Sequence, residues 1–174
     1  MTVRPERLED REAIAAVVAA AFGSEPVADL VEAIRSSQEY IPELALVAES
    51  HGTVVGHVMV SFTELHDGDV HNRIFHLSPL AVAPSHQRQG VGSALVRAVT
   101  ESARQMGAPF VVLEGDPGYY SRLGFVPSAS FGITIDLPSW APPEASQILV
   151  FGDYDTSLRG RVVYPPAFDT IAGD

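Results

Sequence analysis

The sequence of 174 residues contains no cysteine and no lysine, because all eleven basic residues are arginine. The absence of cysteine excludes disulfide bonds, thiolate metal sites and cysteine nucleophiles. The absence of lysine excludes Schiff-base chemistry and the invariant lysine of a Walker-type phosphate loop. Long hydrophobic runs are also missing: the apolar patch at 13–22 is too short to span a bilayer and does not resemble a secretory signal. We therefore expect a cytoplasmic protein that makes no membrane contact.

Positive charge is scarce, and the formal net charge is -11 at neutral pH. This balance opposes nucleic-acid binding, because such proteins need a cationic surface to release counterions from the phosphate backbone. It favours a cationic or neutral partner instead. The length and the hydrophobic content of 46% predict one domain over 1–174 with a single sizeable core.

Hydrophobic periodicity predicts a mixed fold. Apolar residues at helical spacing predict helices at about 14–22, 27–34 and 90–106. Runs typical of strands occur at 44–49, 54–62, 72–83 and 109–114, with further strands in the tail at 131–137, 148–151 and 162–164. The third helix connects two strands, which makes a crossover with parallel pairing, whereas the preceding strands form an antiparallel meander.

The stretch PSHQRQGVGSALV, Pro84 to Val96, places two glycines and an arginine where a strand becomes a helix. A helix N-terminus has unpaired N–H groups and a partial positive charge, so it attracts anions. Gly90 and Gly92 allow close approach to the backbone, Ser93 adds a hydroxyl, and Arg88 adds a guanidinium suited to a diphosphate. The pattern predicts a diphosphate-binding loop, with an ordinary glycine-containing helix start as the alternative.

Two segments resemble motifs of the GCN5-related N-acetyltransferase (GNAT) superfamily. Gln87, Gly90 and Gly92 match in register its signature of Gln or Arg, two residues, Gly, one residue, and Gly or Ala. The sequence YYSRLGF, from Tyr119 to Phe125, is similar to its aromatic-Tyr-x-x-x-Gly-Phe segment. The resemblance covers about 2–127. With Gly-Asp-Pro before the tyrosine pair and Val-Val-Tyr-Pro-Pro-Ala-Phe near the end, the overall pattern is similar to the bacterial YhbS-like branch.

The resemblance implies an α/β (α+β) fold with a mostly antiparallel central sheet, a splayed parallel strand pair and flanking helices. The C-terminal strands, at about 128–174, belong to the variable part of the family and help to set acceptor specificity, which the sequence does not reveal. Trp140 is a candidate wall of the acceptor pocket, although packing against neighbouring prolines explains it equally well.

The resemblance also implies an acetyl-CoA-dependent N-acetyltransferase that transfers acetyl directly to the amine of a small molecule or peptide. A non-catalytic acyl-CoA-binding module, and transfer of another acyl group or to another acceptor, remain open, as does the choice between monomer and homodimer. The matching cofactor-binding residues are Leu80, Ala81 and Val82 on the strand, Gln87, Arg88, Gln89, Gly90, Val91, Gly92 and Ser93 in the loop, and Tyr120. Leu113 departs from the pattern, because many members have an asparagine there that helps to hold the cofactor.

Two residues are candidates for the chemistry. Tyr120 matches the family tyrosine beside the thioester sulfur, where a phenol can donate a proton, while Tyr119 is expected to pack into the core. His76 matches a position that holds a base in several members. Strand alternation would place His76 on the same face as Leu80 and Val82.

Other assignments of the base remain open. A structural histidine in a half-buried strand is the alternative for His76, and Glu64 and Glu114, at strand ends, are rival bases that would act through water. The polar turn with His66, Asp67, Asp69 and His71 has metal-ligand residue types, but turns are polar by composition and the family needs no metal. We therefore predict no metal site.

Overall fold

The computed structural model describes residues 1–152 and 154–171. The predicted variable segment 128–174 therefore includes positions 153 and 172–174, which lie outside the described residues. The main elements are β1 Thr2–Pro5, α1 Arg11–Phe22, α2 Glu25–Arg35, β2 Ala45–Ser50, β3 Thr53–Asp67, β4 Val70–Val82, α3 Val91–Gln105, β5 Phe110–Glu114, α4 Pro117–Tyr120, β6 Val126–Pro127, β7 Ile133–Thr134, β8 Ser146–Val150 and β9 Gly160–Val163.

The described strands join in one mixed sheet in the order β1-β2-β3-β4-β5-β8-β6, and β9 pairs with both β3 and β7. The pairs β4–β5 and β7–β9 are parallel and the remaining pairs are antiparallel. These observations confirm the predicted α/β fold with a mostly antiparallel sheet, a parallel pair and flanking helices. The short β7–β9 pair was not predicted.

The parallel pair separates soon after it forms. β4 and β5 pair only at Phe75 with Val111 and at His76 with Val112. On its other edge β5 pairs with β8 along its whole length, and β4 continues along β3 as far as Val82. A V-shaped opening therefore lies between the ends of β4 and β5, in the middle of the sheet.

Helices cover both faces of the sheet. The apolar face of α3 is buried on one side of the sheet, and α1 and α2 pack on the other, where they contact residues of β2, β3 and β4. Because α3 directly follows β4 through a short loop, its N-terminus lies at the mouth of the V-shaped opening. Among the described helices, none has the length and apolar character that crossing a membrane requires.

A buried ionic network fastens the start of the chain to the sheet. Glu6, just after β1, accepts hydrogen bonds from Arg35 Nε of α2 at 2.7 Å and from the Tyr40 hydroxyl at 2.9 Å, and it lies 2.9 Å from His57 Nε2 of β3. Burial alone would raise the pKa of Glu6, but the hydrogen bonds with Arg35 and His57 hold it well below its usual range. The carboxylate therefore stays ionised and links three elements.

Candidate active site

The loop that leads into α3 has the backbone geometry of an anion cradle. Arg88 and Gly90 both adopt left-handed conformations, with φ of 59° and 85°. The first bond of the helix runs from the Ala94 N–H to the Gly90 carbonyl at 3.0 Å. The N–H groups of 91–93 therefore have no acceptor inside the helix and converge at its N-terminus, where an anion can accept from them.

Two glutamine side chains fix the shape of this loop. Gln87 Nε2 donates to the Val82 carbonyl at 3.0 Å, and Gln89 Nε2 donates to the Ser85 carbonyl at 3.0 Å. Both glutamines were predicted as cofactor-binding residues. In this structure the hydrogen bonds of their side chains hold the loop backbone in place, and this is their contribution to an anion site.

Gly92 allows the second motif to approach the loop. A Cβ atom at this position would lie 2.5 Å from the Tyr119 hydroxyl oxygen, which no side chain tolerates without displacement. Tyr119 is half-buried and lines the cleft beside the loop. The prediction that Tyr119 packs into the core is therefore wrong, because the sequence pattern did not show that its ring turns toward the glycine loop.

Two adjoining cavities, of about 300 and 540 Å³, form this cleft and share Arg88 and Tyr119. The lining contains Arg88 together with Arg97 of α3 and Arg122, two residues that were not predicted. No carboxylate belongs to the described lining. Arg97 lies one helical turn after Ser93, a spacing that could have identified it. Three guanidinium groups without a carboxylate make the cleft cationic, as phosphate groups require. Phe22 of α1 forms part of the opposite wall.

The end of β4 forms the wall between the cleft and the V-shaped opening. The side chains of Leu80 and Val82 line the cleft, whereas Ala81 is buried against the cluster under α1 and α2. After His76, the edge of β4 that faces β5 has no strand partner within the described residues. Its backbone N–H and C=O groups are available to an extended ligand.

Tyr120 lies at the end of a capped helical turn that follows β5. The Asp116 carboxylate accepts from the Gly118 N–H at 2.9 Å and so caps α4, and the Tyr120 ring packs edge-on against Phe125. Gly115 is required because a Cβ there would lie 2.5 Å from the Tyr120 ring. Burial raises the pKa of Tyr120, so its phenol stays protonated and can donate.

The face of β4 that carries His76 differs from the prediction. The pairing register with β3 shifts by one residue between Leu77 and Leu80. Leu77 therefore packs in the same cluster as Leu80 and Val82, beneath α3, and His76 points to the opposite face. The expectation that His76 shares a face with Leu80 and Val82 is wrong because this bulge interrupts the alternation.

His76 is buried between aromatic rings. Its side chain is 1% exposed, its ring centroid lies 4.9 Å from that of Tyr164 and 5.3 Å from that of Phe168, and neither ring nitrogen has a hydrogen-bond partner among the described residues. Burial lowers the pKa of His76 to about 3. The imidazole is therefore neutral and a weak proton acceptor at neutral pH, which argues against its predicted role as the base.

Glu114 lies where two further cavities meet. One, of about 400 Å³, contains His76, and the other, of about 410 Å³, contains Trp140, while Glu114, Leu137 and Pro138 line both. Trp140 is 84% exposed at the rim. Together these cavities form a groove, which we call the acceptor-side groove.

The acceptor-side groove is acidic. Burial raises the pKa of Glu114, partly offset by the nearby Tyr164 hydroxyl, although part of the side chain reaches solvent. Asp116, Asp136 and Asp169 also line the groove, and Arg161, which pairs with Asp136 at 2.8 Å, is not part of the described lining. The Tyr164 hydroxyl oxygen is buried beside Glu114, but it forms no hydrogen bond of good geometry within the described residues, so a polar ligand can pair with it.

Glu64 lies outside this groove. Its carboxylate is 2.6 Å from His66 Nε2, and this hydrogen bond lowers the pKa of Glu64. It lines a separate cavity beside Arg73. Of the three candidate bases, only His76 and Glu114 face the acceptor-side groove.

The sequence has relatives among named proteins. Residues 12–125 match the sequence profile of the acetyltransferase (GNAT) family. The uncharacterized N-acetyltransferase YjhQ of Escherichia coli K12 is 37% identical over 121 residues, which cover 69% of this chain and 66% of YjhQ, about two thirds of its length. The uncharacterized N-acetyltransferase YhbS of the same organism is 33% identical over 126 residues, which cover 72% of this chain and 73% of YhbS.

Solved structures with the same fold extend the likeness to the C-terminal strands. YhbS from Escherichia coli, in complex with CoA, superposes with a TM-score of 0.82 and 29% identity over 97% of this chain and 91% of its own. A GNAT family acetyltransferase from Brucella melitensis, in complex with acetyl-CoA, has a TM-score of 0.76 and 31% identity over 97% of both chains. The glycine loop, the separated strand pair and these relatives show that the chain belongs to the GNAT acetyltransferase family, in its YhbS-like branch.

Proposed function

We propose that this protein is an acetyl-CoA-dependent N-acetyltransferase that transfers acetyl directly to a cationic primary amine of a small molecule or peptide. The observation that supports it best is the separation of charge across the V-shaped opening. Arginines line the cleft on one side and carboxylates line the acceptor-side groove on the other. One opening thus connects a site suited to phosphates with a site suited to a cation.

Acetyl-CoA fits the cleft by its chemistry. Its diphosphate would accept from the N–H groups of 91–93 and pair with Arg88, and Arg97 and Arg122 would bind the remaining phosphate. Its amide-containing arm would lie along the unpaired edge of β4 at Leu80 to Val82. The complexes of the two structural relatives with CoA and acetyl-CoA support acetyl-CoA as the ligand.

Glu114 is the proposed general base. It lies between the two cavities of the acceptor-side groove, and its raised pKa brings it closer to the working pH than an ordinary glutamate. Its carboxylate would bind the ammonium form of the acceptor and then accept one proton from it. The neutral amine can then attack the thioester carbonyl.

Tyr120 is the proposed acid. As the amine nitrogen forms its bond to the carbonyl carbon, the nitrogen loses its second proton to solvent, the carbon–sulfur bond breaks and the sulfur leaves with the electron pair. The Tyr120 phenol, protonated at neutral pH, donates a proton to this sulfur and is reprotonated from solvent. The products are the acetylated amine, CoA and one proton released to solvent.

His76 and Tyr164 are proposed to recognise the acceptor. Their polar atoms are buried without partners among the described residues, an arrangement that costs free energy unless a ligand provides hydrogen bonds. In this role His76 stays neutral throughout, consistent with its low pKa.

We place the reaction in the cytoplasm, where bacteria hold acetyl-CoA.

The test is a measurement of CoA release with a thiol-specific reagent. Because the protein has no cysteine, the reagent reports only the product thiol. A panel of polyamines, arylalkylamines, aminoglycosides and peptides with free amino ends would be compared with alcohols of matched size. We expect release that depends on a primary amine and is absent with the alcohols. If no amine increases release although acetyl-CoA binds, the protein is instead an acyl-CoA-binding module.

A further inference from the structure

Three side chains at the far end of the β3–β4 hairpin form a cluster apart from the proposed active site. His66 of β3 lies directly opposite His71 of β4, and Glu64 precedes His66 by two residues, so all three project from the same face. One potential ligand atom from each lies within 4.8 Å of the others. We propose that Glu64, His66 and His71 bind a late first-row divalent cation, with zinc as the expected ion.

The donor set suits such an ion. Imidazole nitrogen and carboxylate oxygen are common ligands of zinc, nickel and copper, and three protein ligands leave a fourth position for water. With zinc–ligand distances of about 2.1 Å, tetrahedral ligands lie about 3.4 Å apart. The Glu64 carboxylate and His66 Nε2 are already 2.6 Å apart, so binding requires this pair to open slightly and His71 to approach.

The side chains are free to make this adjustment. The Glu64 side chain is 56% exposed and that of His66 is 25% exposed, so both can rotate without disturbing the core. The two imidazole rings lie parallel with centroids 3.6 Å apart. A small tilt of each ring would direct a nitrogen to one ion, which would then bridge the two strands.

The arginine opposite Glu64 makes its contacts elsewhere. Arg73 lies opposite Glu64 across the strands, where it would be expected to neutralise the carboxylate. Its guanidinium instead donates to the Gln38 carbonyl at 2.7 Å and lies 4.0 Å from the Phe62 ring centroid. Among the described residues, the ion-pair partner of Glu64 is His66 alone.

This cluster differs from the turn considered in the sequence, for which no metal was predicted. Asp67 pairs with Arg159 at 3.5 Å, and neither Asp67 nor Asp69 belongs to the cluster. Glu64 enters it because β3 continues through residue 67 and alternation places residues 64 and 66 on one face. The site shares no residue with the acetyl-CoA cleft or the acceptor-side groove. The zinc proposal is therefore independent of the proposed function.

The test is calorimetric titration of the full, untagged chain with zinc chloride, in buffer without chelators. Variants Glu64→Gln and His71→Ala remove one ligand each, and circular dichroism would confirm their fold. The matched control is His51→Asn, which removes an imidazole from a separate exposed turn where φ is 49° and asparagine is tolerated.

We expect one zinc ion per chain, with affinity at least tenfold weaker in Glu64→Gln and in His71→Ala and unchanged in His51→Asn. Titration with cobalt chloride should produce visible absorption bands of a tetrahedral site in the unmodified chain and in the control only. Equal zinc binding by all four proteins, or no binding by the unmodified chain, would overturn the proposal. If His71→Ala does not fold, Glu64→Gln decides alone, because its exposed side chain is not needed for folding.

Discussion

At the scale of single residues, one cause moves the pKa values of two side chains in the acceptor-side groove in opposite directions. Burial lowers the pKa of His76 to about 3 and raises the pKa of Glu114. A histidine is the usual base at neutral pH, but here its surroundings favour the neutral ring. The residue type alone therefore favours His76 as the base, whereas the raised pKa of Glu114 supports our proposal that Glu114 takes the proton.

Replacement of Glu114 tests its role as the base. Glu114→Gln keeps the size of the side chain but cannot accept the proton, so kcat should fall by roughly 10²–10⁴-fold with any amine that the protein acetylates. In the unmodified protein the rate should fall as the pH drops through the raised pKa of Glu114, and this acid limb should be absent in the variant. A variant with the same rate and the same acid limb would show that another group takes the proton.

The burial of His76 predicts a dependence of stability on pH. The unfolded chain binds a proton on this residue below about pH 6.5, whereas the folded chain binds it only below about pH 3. The free energy of unfolding should therefore fall between these values, by up to about 1.4 kcal/mol per pH unit from this residue. Urea unfolding at about pH 7 and about pH 5 should show a smaller loss in His76→Leu than in the unmodified chain. Equal losses would mean that His76 is protonated in the folded state.

At the scale of secondary-structure elements, the long periodic segments were predictable and the short ones were not. The apolar periodicity of α1, α2 and α3 identified each helix to within a few residues. β6 and β7, at two residues each, contain too few positions for any pattern. β3 was predicted to end at Phe62, because polar residues follow it, but pairing with β4 and β9 extends it to Asp67.

The candidate site shows the same division. The loop before α3 was predictable from its glycines. Gly90 has a left-handed backbone and Gly92 lies close to Tyr119, so both positions favour glycine. Tyr119 of α4 and Arg122, which follows α4, enter the cleft through tertiary packing that no local pattern reports, whereas the spacing of Arg97 from Ser93 could have identified it. The face of His76 depended on a single bulge in β4.

The network around Glu6 links β1 to α2 and β3, so its loss should affect the whole fold. In Glu6→Gln the Arg35 guanidinium, 3% exposed, keeps only its pair with the exposed Glu32, and we expect the free energy of unfolding to fall by about 3 kcal/mol. Glu101→Gln is the matched control, because it removes a carboxylate from an exposed pair with Arg104 and should leave stability nearly unchanged. Equal effects of the two substitutions in urea unfolding would contradict the structural role of the network.

At the scale of the whole molecule, the net charge of -11 does not show that the charged residues are unevenly distributed. The cleft at the N-terminus of α3 contains three arginines, and the acceptor-side groove contains carboxylates. A substrate that carries phosphates and one that carries an ammonium group are therefore directed to opposite sides of the V-shaped opening. The net charge can be read from the sequence, but the separation of charge between the two sites depends on the fold.

This separation predicts an effect of salt on the acceptor. Raising the ionic strength from about 20 to about 200 mM should increase the KM of a cationic amine several-fold, because screening weakens its attraction to the groove. The KM of an acceptor that is mostly neutral at the assay pH should change little. Steady-state rates at both salt concentrations check this, and equal responses of the two acceptors would show that the groove does not select for charge.

The most direct test of the proposed acetyl-CoA site is calorimetric titration of the unmodified chain and of Gly92→Glu with acetyl-CoA. A side chain at position 92 would collide with the Tyr119 hydroxyl and would place a carboxylate where the diphosphate is expected. If the loop before α3 binds the diphosphate, we expect one acetyl-CoA per unmodified chain and affinity at least 100-fold weaker in a folded Gly92→Glu variant. Equal affinity in the two proteins would contradict it, because acetyl-CoA would then bind somewhere other than the loop before α3.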